Sequence, residues 1–288
     1  MKIEVWLYIA GSNDITVGMK QLSTLATIFL IASCAMAQSG PYLFSGAGYQ
    51  GNGQIGLLTE DAEAGIVLPA LLAVRTHGGW SVSAATRTGL KDLTEISGTA
   101  HLVLPWKDQV AVGIQHTGID GYSEQRITFS YARRLFEKLN AALQFDLNRN
   151  EAEEFDNIYA ASWSISIHAP LMKELSMSAW IYNPLGTESL LDLPSMTRIG
   201  VLYEPSDKIG VAIEAEKDWR HELRFKAGMN YHLHEKLTVR WGIGTRPSLV
   251  HAGISWNIFN NMSLTGGWRY HSRLGSSLSA SLSQYKVK

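Results

Sequence analysis

The chain has 288 residues with 25 lysines and arginines against 26 aspartates and glutamates, so its net charge is −1 and no basic face for nucleic acid is expected. Its only cysteine, Cys34, leaves no disulfide for the rest of the chain. Past residue 37 no apolar run approaches the ~18 residues of a membrane-spanning helix. That excludes a helical membrane protein and leaves a closed β-barrel as the remaining way to cross a bilayer.

Residues 1–37 read as an N-terminal extension followed by an export signal. Met19-Lys20 supply a start and a positive charge, and Ala35-Met36-Ala37 a small-x-small cleavage site. Between them Leu22–Ile31 form an apolar core about half the ~20 residues that spanning requires. Gln38 is then the mature end. A competing reading takes Ile31-Ala32-Ser33-Cys34 as a lipoprotein box, with Cys34 lipidated.

Residues 38–76 form a second unit. Its centre, "GAGYQGNGQIGLLTEDAEAGIVLPALLA" (46–73), is glycine-rich, then acidic, then a short helix through Leu72. It has no two-residue alternation.

Residues 77–288 alternate. Leu175, Met177, Ala179 and Ile181 share one face, and Ser176, Ser178, Trp180 and Tyr182 the other. Leu278, Ala280 and Leu282 alternate with Ser277, Ser279, Ser281 and Ser283. Side chains on a strand point to opposite faces with period two, so each segment is a strand with one apolar and one polar or small face. Six tight polar turns recur every 25–36 residues, at 105–110, 135–139, 170–175, 204–209, 233–237 and 258–262. That spacing is two strands plus one opposite loop, a chain of up-and-down hairpins. Strand starts fall near 80, 94, 110, 122, 139, 158, 175, 195, 209, 222, 237, 248, 262 and 276. Fourteen is even, which puts both ends on one side, as in bacterial outer-membrane barrels with short periplasmic turns.

Charge placement separates a membrane barrel from a soluble one. With Arg220 at the centre of its hairpin turn, Glu214 faces Lys226 and Glu216 faces Arg224, all on the polar face. Charges of both signs on one face predict an enclosed polar lumen, with the apolar faces against outer-membrane lipid. Trp106, Phe136, Tyr203, Tyr231, Trp256, Phe259 and Tyr285 fall near the turn ends of the strands, where an aromatic girdle belongs. The expected fold is an all-β, transmembrane, antiparallel up-and-down barrel of about 14 strands with an N-terminal plug.

The stretch 46–73 resembles the N-terminal signature of FadL-like and PorV/PorQ-like outer-membrane β-barrel proteins. The corresponding residues are Gly46, Gly48, Gly51 and Gly53, then Glu60-Asp61, then Leu68-Pro69-Ala70-Leu71. Leu68 stands where the family has Asn, and Leu71 where Gly is common. The resemblance implies fourteen strands and a plug or hatch over 41–76 in the periplasmic half of the barrel.

Catalytic chemistry is not expected. There is no G-x-S-x-G, no cofactor motif, and no catalytic or metal residue to assign; His232-x-His234-Glu235 and "EAEEFD" (151–156) read as polar turn and loop residues. Two functional readings remain, both non-enzymatic. The main one is a PorV-like accessory or scaffold in type IX-like protein secretion in Bacteroidetes, with a translocon or secreted protein as partner. The alternative is a FadL-like transporter of a small apolar ligand. A continuous apolar channel through the barrel favours the second, and a plugged lumen the first.

Overall fold

A computed structural model describes residues 46–284 apart from 88–89, 154–155, 187–190, 192 and 260. The expected signal, its cleavage site, Cys34 and Tyr285 lie outside the described residues. Fourteen strands form one closed barrel, each paired with its neighbours in sequence and the first with the last. They are β1 (Gly79–Arg87), β2 (Leu90–Val103), β3 (Gln109–Ile119), β4 (Tyr122–Phe136), β5 (Leu139–Ala152), β6 (Ile158–Pro170) and β7 (Leu175–Tyr182). The second half comprises β8 (Met196–Ser206), β9 (Ile209–Asp218), β10 (Arg224–His234), β11 (Leu237–Gly244), β12 (Leu249–Phe259), β13 (Met262–His271) and β14 (Gly275–Gln284). The hairpin rhythm therefore gives the right count. Individual starts move slightly: β2 begins at Leu90 instead of 94, and β10 at Arg224 instead of 222.

Every pairing is antiparallel, and the barrel closes where Ser81 meets Ser283 and Ser83 meets Ser281 across β1 and β14. The strict period of two turns the usual protein inside out. Ser81, Ser83, Ser162, Ser164, Ser166, Ser281 and Ser283 are buried in the lumen, while Val82, Ile96, Ile114, Phe145, Ile165, Ile213, Ile254 and Leu278 are exposed on the outer wall. Trp106, Phe136, Tyr203, Tyr231, Trp256 and Phe259 are exposed as well. No helix among the described residues is long and apolar enough to cross a membrane.

Inside the barrel lies the segment 46–75. It folds as α1 (Ala47–Gly51), a 3-10 turn Gly56–Leu58, α2 (Ala64–Val67) and a 3-10 turn Pro69–Val74. The sequence predicts one short helix through Leu72; the structure breaks it at Leu68. Pro69 has no N–H and crowds the residue before it, which takes φ −151° and ψ 75°. The segment runs around the inner wall. α1 meets β11–β14 and β1, Gly56–Leu58 meets β8–β10, α2 meets β2–β4, and Pro69–Val74 meets β3–β6.

Candidate functional site

The inner segment and its seat on the wall are the functional candidate, because together they fill the lumen. Backbone carries the first contact. A Cβ on Gly51 would come 2.8 Å from the Cα of Gly253, and one on Gly253 would come 2.9 Å from the Cα of Gly51. Gly53 sits at φ +88° with its Cα against Gly242, so it needs glycine for conformation as well as for space. Asn52 lies against Gly228, and Ala47 against Gly267. Four wall glycines thus form two adjacent cross-strand pairs, Gly228–Gly242 and Gly253–Gly267. Gly46 and Gly48 do a different job: they make room for the carboxyl groups of Glu63 and Asp61.

The charged residues meet as the hairpin register predicts. Glu214 faces Lys226 and Glu216 faces Arg224. Lys226 Nζ donates to Glu216 Oε2 at 2.6 Å, Glu214 Oε1 at 3.2 Å and the carbonyl of Gln54 at 3.1 Å. Glu214 Oε2 accepts from the backbone N–H of Gly56 at 3.2 Å, and Arg224 pairs with Glu216 at 3.2 Å. The network therefore ties the inner segment to β9 and β10. It continues through Arg198, which donates to the Tyr49 hydroxyl at 2.9 Å and lies 3.7 Å over the Trp180 ring. Trp180 stacks on Tyr182 at 5.4 Å, and Arg126 lies 5.4 Å from Tyr182 while pairing with Asp146 at 2.9 Å. This alternation of guanidinium and ring lines the lumen along β4, β7 and β8 with polar contact instead of an open apolar bore.

Glu60 and Asp61 stand at the exit of the first half. Glu60 accepts from Asn230 at 2.8 Å and Arg240 at 3.0 Å, and lies 3.2 Å from His232. Burial alone would raise its carboxyl; Arg240 and His232 more than offset that and hold it at about 2. Asp61 Oδ1 accepts from the N–H of Glu63 at 3.0 Å, and burial raises its carboxyl. His232 is thus taken up by Glu60 and by Thr238 at 2.9 Å, while His234 Nδ1 accepts from the N–H of Lys236 at 3.3 Å. Among the described residues no cluster of three or more His, Cys, Asp or Glu is arranged to hold a metal ion.

Beside the segment lies a recess of about 260 Å³, lined by Leu57, Leu71, Leu175, Leu202 and Met172 and also by Arg75, His168, Lys173 and Glu204. Asn140 Nδ2 lies 3.1 Å from His168 Nδ1.

The sequence reading placed Arg198 in the lumen but missed Glu63 and Tyr49, and it missed the wall glycines. A signal for the last was present. Gly228, Gly242, Gly253 and Gly267 occupy lumen-facing positions in four consecutive strands, where a side chain would otherwise fill the interior.

No family model matches the chain, and no curated protein does. Solved structures do. The toluene transporter TbuX of Ralstonia pickettii aligns with a TM-score of 0.63 at 11% identity, covering 85% of this chain and 99% of that one. The Pseudomonas putida toluene transporter TodX gives 0.63 at 10% identity, with 86% and 98% covered. A Pseudomonas aeruginosa FadL homologue gives 0.62 at 9% identity, with 86% and 99% covered. At such identities the likeness is one of fold. It agrees with the FadL-like side of the resemblance. The PorV-like side gains nothing from these structures, nor do a translocon partner, type IX secretion or a Bacteroidetes source.

Proposed function

We propose that the protein is a non-enzymatic outer-membrane channel for a small apolar molecule, with residues 46–75 as its hatch. This reverses the order of the two readings drawn from the sequence. The observation that carries it, in a lumen otherwise filled by the hatch and polar side chains, is the partly apolar recess between the hatch and β6–β8, on the side where the short turns lie. A volume of about 260 Å³, lined by leucines and a methionine together with Arg75, His168, Lys173 and Glu204, has room for one small molecule with an apolar body. The exposed apolar outer wall and its aromatic residues support placement in lipid. The fold shared with toluene transporters supports the transport class. In this reading residues 1–37 export the chain, residues 77–288 form the barrel, and the six short turns face the periplasm.

The test is uptake of radiolabelled toluene by cells expressing the protein, compared with an empty vector. Ser176→Trp, a half-buried position lining the recess, should cut the gain severalfold while the barrel keeps its heat-resistant gel mobility. Uptake equal to that of the vector control, or a wild-type rate in the folded tryptophan variant, would overturn the reading.

A further inference from the structure

The inner segment has three acids, and they are provided for unequally. Glu60 has Arg240 and His232. Asp61 lies in the field of Arg240 and Arg75. Among the described residues Glu63 has no cation in contact, and it is fully buried. Its carboxyl sits astride the seam where the barrel closes. Oε1 lies 2.9 Å from Ser83 Oγ and 3.4 Å from Ser81 Oγ on β1, and 3.1 Å from Ser281 Oγ on β14. Oε2 accepts from the backbone N–H of Tyr49 in α1 at 3.3 Å. From β1 and β14 only hydroxyls face it. From α1 come a backbone N–H and the space left by Gly46, because the Tyr49 hydroxyl is engaged with Arg198. Among the described residues its charged neighbour is Asp61, of like sign.

Such a site favours a neutral carboxyl. A carboxylate enclosed without a cation loses its hydration and gains only dipoles in return. A neutral carboxyl gives its own O–H to one of the three hydroxyls and accepts from the others. Burial first, and the Asp61 charge second, push the Glu63 carboxyl up to about 8.

We propose that Glu63 is a proton-held latch: neutral, it ties the inner segment to the seam between β1 and β14, and its ionisation frees that segment from the wall. The pH window is set by linkage. A released Glu63 ionises near its ordinary value of 4.5, whereas the seated one keeps its proton up to about 8. Seating is therefore unpenalised below 4.5, weakens up to about tenfold per pH unit as the pH rises to about 8, and levels off above that. The inference concerns the position of the segment and stands apart from what the barrel carries.

Hydrogen exchange read by mass spectrometry tests it, with the wild type and Glu63→Gln compared at the same pH so that intrinsic exchange chemistry and the titration of Asp61 largely cancel. Glutamine keeps the shape and cannot ionise. Peptides within 46–63 should exchange within a few-fold of each other in the two proteins at pH 5. At pH 8 the wild type should exchange at least about tenfold faster, with strand β5 unchanged in both. A ratio that stays constant from pH 5 to pH 8 would overturn the latch. Should the glutamine variant fail to assemble, the wild type carries the test alone: its protection over 46–63, corrected for intrinsic rate, must fall across that window while that of β5 holds, and constant protection overturns the proposal.

Discussion

The two halves of the inner segment meet the same barrel in different ways. Residues 46–60 are seated by backbone and by charge. Gly51 lies on Gly253, Gly53 on Gly242, and Lys226, Glu214, Arg198 and Arg240 reach in from the wall to bind carbonyl, N–H, hydroxyl and carboxylate. Residues 64–74 are seated by apolar packing: Ala64, Ala70, Leu71 and Leu72 are buried together with Ala111, Ala132 and Ala142 of β3, β4 and β5. The first mode demands fixed geometry, since hydrogen bonds and Gly–Gly approaches fail when atoms shift by a few tenths of an ångström. The second is non-directional and tolerates sliding. One barrel thus combines a keyed contact with a greasy one, and Asp61 and Glu63 lie in the stretch between them.

Charge reversal at the key should have the largest effect. Lys226→Glu sets a third carboxylate against Glu214 and Glu216 and removes the donor to Gln54. Breaking a buried ion pair of this kind costs about 3–5 kcal/mol. The temperature at which the barrel loses its heat-resistant gel mobility should fall clearly. A variant with wild-type resistance would show that the charges do not hold the segment to β9 and β10.

A pair of smaller changes separates the two modes. Leu72→Ala empties a fully buried site in the apolar half, at a cost of about 2–5 kcal/mol. It should raise hydrogen exchange over 64–75 and leave 46–58 protected. Gly253→Ala places a methyl 2.9 Å from the Cα of Gly51, an overpacking that costs about 1–3 kcal/mol. It should do the reverse. If either variant loosened both halves equally, the segment would be a single cooperative unit and the contrast between its halves would have no energetic meaning.

The barrel was legible in the sequence because its signal repeats. Alternation and six similar turns each report the same geometry many times, so an error at β2 or β10 shifts a boundary without changing the count. The facing of Glu214 with Lys226 was legible for the same reason, since a hairpin fixes register once its turn is placed. The seat was not. Glu63 reads in sequence as one acid in an acidic step, and nothing local says that Ser81, Ser83 and Ser281 will close around it from the two ends of the chain. The partners of Gly51 and Gly53 lie some 200 residues away in sequence, at Gly253 and Gly242, and only barrel closure brings them together. The choice between transport and secretion was likewise out of reach, because strand alternation does not say what fills the lumen.

The smallest expected effect sharpens the comparison most. Glu60 and Glu63 are three residues apart and titrate in opposite senses. The Glu60 carboxyl is held at about 2, so its pairing with Arg240 contributes fully above the ordinary value of 4.5 and is lost as the pH falls through about 2. Its side chain is 31% exposed, so the pair is worth about 1 kcal/mol or less. Glu60→Gln should therefore speed exchange over 46–60 by a few-fold at pH 5 to 8, with the difference shrinking below pH 4.5 and vanishing near pH 2. The Glu63 effect runs the other way, growing from pH 4.5 toward 8. Seating is then firmest near pH 4.5, where Glu60 is ionised and Glu63 still neutral. A Glu60→Gln difference that grew on acidification would mean that Arg240 holds something other than the Glu60 carboxylate, and the keyed half would lose one of its fixed points.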